Sequence, residues 1–110
     1  MTLTTHVLDT SIGVPAEGIA IMLYAVHGDT RAQIASATTN ADGRTDRPLA
    51  EELAAGSYAL TFAVAPYFVA RGVAAFYDEI TIRFQVTRDR AHYHVPLLLA
   101  PWGYSTYRGS

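Results

Sequence analysis

Two stretches of this chain alternate strictly between bulky apolar and small or polar residues. Tyr58, Leu60, Phe62 and Val64 recur at every second position, and so do Ile80, Ile82, Phe84 and Val86. Successive side chains on an extended backbone point to opposite faces, so each stretch makes a strand with one apolar face, whereas a helix would scatter the same residues around its axis. A sheet with one apolar face needs a second layer to cover it. That need is the strongest constraint on how the chain folds.

Weaker alternation fills much of the remainder. Leu3, Thr5 and Val7 share one face of a first strand, with Thr4, His6 and Leu8 opposite. Gly13 and Pro15 break it. Ile19, Ile21 and Leu23 make the apolar face of a second strand, backed by Ala20, Met22 and Tyr24, and a less regular third strand is expected over Gln33–Thr39. The stretch NADGRT follows as a turn, since Asp-Gly tolerates positive φ. Leu49–Leu53 (LAEEL) is expected as a loop or a single helical turn with Glu51 and Glu52 facing water, and Asp9 and Asp42 are expected as turn residues. Pro66–Val73 starts on proline, lacks period two and holds good helix formers, so one short helix is expected there.

Near the C-terminus, Tyr93, Val95, Leu97 and Leu99 make one strand face and His92, His94, Pro96 and Leu98 the other. Gly103–Tyr107 then returns as a last strand. Seven or eight short strands separated by turn signals, with one helix, point to an all-β sandwich.

At 110 residues the chain is expected to form one domain over 1–110, long enough to bury about two-thirds of its extended surface. Half of the residues are hydrophobic and 16% charged, far from a disordered composition. The net charge is −2 and all eight basic residues are arginines spread among acidic ones, which offers nothing to nucleic acid or to an anionic membrane. With no cysteine there is no disulfide, thiolate ligand or thiol nucleophile, which suits a reducing compartment. No stretch resembles a secretory leader or approaches the ~20 apolar residues that span a bilayer. A cytoplasmic location is expected.

If the bulky faces point inward, His6 and His94 look outward, on a face that also carries Leu8, Pro96 and Leu98. An apolar outward face marks an interface, so a homo-oligomer is expected.

The segments LTTHVLDT, GVPAEGI, TNADGRT, YHVPLLL and the terminal YSTYRGS, taken in order from end to end, resemble the 5-hydroxyisourate hydrolases, the transthyretin-related enzymes of urate degradation. The resemblance implies a transthyretin-like eight-stranded β-sandwich with one short helix, assembled as a homotetramer whose central channel holds the sites. It also implies hydrolysis of 5-hydroxyisourate to 2-oxo-4-hydroxy-4-carboxy-5-ureidoimidazoline with no cofactor and no metal. The family's catalytic positions fall on His6, Arg44, His94 and Ser110, and its substrate contacts on His6, Arg44, Tyr107 and Arg108, with Gly109 in the tail. The thyroid-hormone carrier of the same fold has lysine, glutamate and threonine in place of His6, Arg44 and His94, and lacks YRGS.

These residue types suit the opening of a cyclic amide, which needs an activated water, stabilisation of the oxyanion and a proton for the leaving nitrogen. Histidine, with an unperturbed pKa of about 6.5, can accept a proton from water and return it, so His6 and His94 are the candidate proton-handling pair, and Arg44 offers a permanent charge and a planar donor fork. Which histidine is base and which is acid stays open. Two imidazoles without a thiolate or nearby carboxylate are an incomplete metal set. His27 and His92 are taken as surface or interface residues, Trp102 and Tyr104 as packing residues.

Overall fold

The computed structural model describes Met1–Ser110. Its elements are β1 (Thr2–Asp9), β2 (Val14–Pro15), β3 (Ala20–His27), β4 (Thr30–Thr38), β5 (Gly56–Ala63), α1 (Ala65–Ala70), β6 (Ile80–Val86), β7 (His92–Ala100) and β8 (Gly103–Thr106). They form two four-stranded sheets, ordered β2-β1-β7-β8 and β4-β3-β5-β6. All neighbours are antiparallel except β1 and β7, which run parallel and in register from Thr2 beside His92 to Asp9 beside Leu99.

The alternating faces meet between the sheets. Leu3, Val7, Leu97 and Leu99 from one layer and Ile21, Leu23, Leu60 and Phe62 from the other are fully buried in one cluster. The fold is the eight-stranded sandwich with one short helix, and the two strictly alternating stretches became β5 and β6, with Val64 just past the end of β5.

Two boundaries and one short strand differ from the sequence reading here. The third strand starts at Thr30, three residues early, because a two-residue turn with Gly28 at φ 60° joins it to β3. Its alternation is hidden by a bulge: the register shifts between Leu23 and Tyr24, and Ile34 is the extra residue, half exposed. The helix ends at Ala70 rather than Val73, since Gly72 turns left-handed at φ 68° and the N–H groups of Arg71 and Val73 both return to the Phe68 carbonyl. The two-residue β2, beside Leu8 and Asp9, was not anticipated.

Asp9 does more than turn the chain. It is buried, accepting from the Ser11 N–H and hydroxyl on one oxygen and from the Tyr67 phenol at 2.8 Å on the other. Burial, and then the Asp9 carboxylate, push the Tyr67 phenol up to about 12, so it stays a donor. The Arg71 guanidinium lies 4.0 Å over the same ring. This contact pins α1 to the end of β1. Replacing Tyr67 by Phe leaves a buried carboxylate oxygen without its donor, at a cost of about 1–3 kcal/mol, and the melting temperature is expected to fall by several degrees; an unchanged thermal transition contradicts the role given to this bond.

Candidate active site

The site is built on the outward face of the β1–β7 pair. Parallel register puts Thr2 beside His92, Thr4 beside His94 and His6 beside Pro96. The even-numbered residues of both strands therefore share one face, opposite the buried Leu3, Val7, Tyr93 and Val95. That face is less bare than the apolar patch expected from sequence. Pro96 is buried and Leu8 and Leu98 are half-buried, because a turn packs over His6 and the chain terminus over His94.

The turn reaches His6 through an unoccupied sheet edge. β2 pairs only with Leu8 and Asp9, so most of the outer edge of β1 has backbone groups left over. The segment after β4 takes them: Leu3 N–H bonds to the Ala50 carbonyl, Leu49 N–H to Leu3, and Val7 N–H to the Gly43 carbonyl at 2.8 Å. Asn40 shapes this segment, its side-chain oxygen accepting from the N–H groups of Asp42 and Arg44 at 2.9 and 3.2 Å. Gly43 stands at φ 74°, where a Cβ would come within 2.3 Å of the Val7 carbonyl, so only glycine permits the approach. The result brings the Asp42 carbonyl to 2.8 Å from His6 Nε2, which donates to it, and sets Arg44 beside the face.

The terminus arrives from the other side. Gly109 N–H bonds to the His94 carbonyl at 2.8 Å, in the same register as the β7–β8 ladder. Between them the ladder lapses, and β8 stops at Thr106 rather than Tyr107. Pro96 has no N–H to give, and its carbonyl is taken by the Thr106 hydroxyl at 2.7 Å. A Cβ on Gly109 would lie 2.5 Å from His94 Cδ2, so this glycine is what lets the tail rest on the imidazole.

The outcome is a cleft of about 420 Å³ lined by Thr4, Thr5, Arg44, Thr45, Asp46, Arg47, Pro48, His92, His94 and Ser110, all polar or charged except Pro48. Arg44, His94 and Ser110, three of the positions named from sequence, line this one space. His6 stands next to it on the neighbouring strand, held by the Asp42 carbonyl. Tyr107 and Arg108 do not line it in the isolated chain. They border a second, more apolar groove of about 380 Å³ with Ile82, Phe84, Tyr93 and Val95. His92, taken as a surface or interface residue, is exposed, and it also lines the cleft; its spacing of two from His94 was the signal for that. Trp102, expected to pack, is 68% exposed, while Tyr104 stacks edge-on to Tyr77 at 5.2 Å.

His94 is held below the ordinary histidine value, first by burial and then by the positive charges of Arg44, His92 and His6. It therefore stays neutral, and able to accept a proton, to lower pH than a free imidazole.

Comparison with known proteins shows the family. The family model described as "HIUase/Transthyretin family" matches residues 3–109. The chain belongs to this family. It is 55% identical to the 5-hydroxyisourate hydrolase of Deinococcus radiodurans over 98% of this chain and 95% of that protein, and 52% identical to the 5-hydroxyisourate hydrolase of Ralstonia nicotianae over 98% and 97%. Among solved structures, that of Klebsiella pneumoniae 5-hydroxyisourate hydrolase matches with a TM-score of 0.87 at 40% identity over the full length of both chains. Sea bream transthyretin in complex with thyroxine matches with a TM-score of 0.92 at 28% identity, over 99% of this chain and 95% of that one. Backbone alone therefore does not separate these two kinds of protein.

Two measurements check the electrostatics. NMR titration of His94 is expected to give a midpoint below about 6.5, and Arg44→Gln to move it upward by removing a nearby cation; a midpoint above the ordinary value, or a downward shift in the variant, contradicts the arrangement. Because the unfolded chain takes up this proton first as pH falls, His94 subtracts stability progressively below about pH 6.5.

Proposed function

We propose that this protein hydrolyses 5-hydroxyisourate to 2-oxo-4-hydroxy-4-carboxy-5-ureidoimidazoline in urate degradation, by addition of water to a ring amide, with residues 1–110 acting as one catalytic domain. The observation that carries the reading is the polar cleft in which Arg44, His94 and Ser110 meet beside His6, in a chain about half identical to proteins named for this reaction.

In this reading water adds to the ring carbonyl as one imidazole takes a proton from it. The oxygen–carbon bond forms, negative charge develops on the former carbonyl oxygen, and Arg44 stabilises that charge. The carbon–nitrogen bond then breaks as a proton is delivered to the departing nitrogen, leaving a carboxylate. His6 and His94 handle the two proton transfers, and Ser110 orients the water or an imidazole. Every atom of the products comes from substrate and water.

A cleft lined by polar and charged residues, with Pro48 its one hydrocarbon side chain, suits a small carbonyl-rich ring and gives a large hydrophobic hormone little to bury. A carrier role is therefore not favoured. The proposal includes a homotetramer, as the family resemblance implies, with Tyr107 and Arg108 contacting substrate once the sites are enclosed by association. It also includes a cytoplasmic location, which the composition suits; no helix is long and apolar enough to cross a membrane.

The test follows the ultraviolet absorbance of freshly generated 5-hydroxyisourate. The protein is expected to accelerate its decay, and His6→Asn or His94→Asn to reduce kcat/KM by about 10²–10⁴-fold. Deletion of Arg108–Ser110 is expected to cost a comparable factor. Decay at the spontaneous rate with the unaltered protein rejects the reading, and hydrolysis unaffected by either histidine substitution rejects the assignment of residues.

A further inference from the structure

The mechanism above leaves His92 unused, although it shares the cleft and the sheet face with His94. The two rings are joined by threonine hydroxyls. Thr2 Oγ1 lies 3.4 Å from the Ala91 carbonyl and 2.6 Å from His92 Nδ1. Thr4 Oγ1 lies 3.2 Å from His92 Nε2 and 2.9 Å from His94 Nδ1. We propose that His92, through Thr4, is a positioning residue that holds His94 in the tautomer with hydrogen on Nδ1, leaving Nε2 as the lone pair that faces a ligand.

The direction of the chain is decided at its far end. The polarity that uses all four contacts puts the single hydroxyl proton of Thr2 on the Ala91 carbonyl, which only accepts and also takes the Thr2 N–H at 2.9 Å. The contact to His92 Nδ1 then requires the ring to donate. A neutral imidazole has one N–H, so His92 Nε2 accepts, and the proton within reach is that of Thr4. Having given it, Thr4 Oγ1 accepts from His94, whose hydrogen is therefore on Nδ1. The opposite polarity turns the Thr2 hydroxyl away from the Ala91 carbonyl. Two further features hold the arrangement. The parallel register sets each threonine beside its histidine, and Gly109 packs against His94, its N–H bonded to the His94 carbonyl and its missing Cβ leaving room for the ring.

As far as the reaction is concerned this deepens the hydrolase reading and rests on it. It assigns His94 Nε2 as the atom that takes the proton from water. His6, whose Nε2–H is committed to the Asp42 carbonyl, is left to exchange its proton at Nδ1. Fixing a tautomer through a fully bonded partner is how an outer residue supports an imidazole base.

The experiment has a readout that needs no substrate. Long-range proton–nitrogen NMR spectra of the intact protein, taken at about pH 8 so that the imidazoles are neutral, report which nitrogen of His94 is protonated. Arg44, Arg47, Asp46, His6 and Ser110 also face or neighbour this ring, so the spectra of all variants are compared at one pH. The unaltered protein is expected to show His94 protonated on Nδ1. Thr4→Val is expected to move the hydrogen to Nε2 and to lower kcat for 5-hydroxyisourate by about 10- to 100-fold, with KM held within about threefold. Thr4→Ser is expected to restore both. His92→Phe, which frees the Thr4 hydroxyl, is expected to give a mixture of tautomers and a smaller loss. Hydrogen on Nε2 in the unaltered protein, or a Thr4→Val variant that keeps the Nδ1 tautomer, overturns the proposal. Should Thr4→Val fail to fold, the unaltered, Thr4→Ser and His92→Phe spectra still decide. Absence of hydrolysis by the unaltered protein would reject the substrate reading alone and leave the tautomer result standing.

Discussion

The parallel pairing of β1 with β7 is the contact on which the site depends. These strands come from opposite ends of the chain and lie side by side in the middle of one sheet. Their shared register decides two things together. Leu3, Val7, Leu97 and Leu99 go inward to the core, and Thr4, His6, His92 and His94 go outward to one polar surface. A slip of one residue in either strand would exchange the faces and bury the imidazoles, so the core that stabilises the sandwich also enforces the alignment of the site.

Backbone groups then complete what the register begins. The edge of β1 that β2 leaves open draws in the segment carrying Arg44, and the first part of β7 binds the returning terminus at Gly109. In both places a glycine permits a contact that a Cβ would prevent, over the Val7 carbonyl at Gly43 and over the His94 ring at Gly109. Main-chain hydrogen bonds thereby bring Arg44 and Ser110 to the face that carries His94. Sea bream transthyretin, solved with thyroxine, has nearly the same backbone at 28% identity, so the fold does not by itself fix the chemistry.

Much of this was legible before any coordinates. Strict alternation located β5 and β6, and the looser alternation around Leu3–Val7 and Tyr93–Leu99 located β1 and β7 and put His6 and His94 outward. Legibility failed where a local feature broke the period. The bulge at Ile34 hid the start of β4, Gly72 shortened the helix, and Pro96 ended β8 one residue early by acting across the sheet. His92 was discounted because one histidine on a strand carries little information, although its parity with His94 already placed them on one face.

The sequence by itself determined which residues lie inside and which outside, since burial follows a periodicity written along each strand. It also held, in its ordered segments and terminal YRGS, the resemblance to a family of hydrolases. Tertiary structure alone decided that Thr4 bridges two histidines separated from it by about 90 positions, that Ser110 returns to the cleft of Arg44, and that Tyr107 and Arg108 border a different groove in the isolated chain. The physical reason is that periodicity is a property of neighbours along the chain. Hydrogen bonds between distant strands exist only after the core has chosen their register.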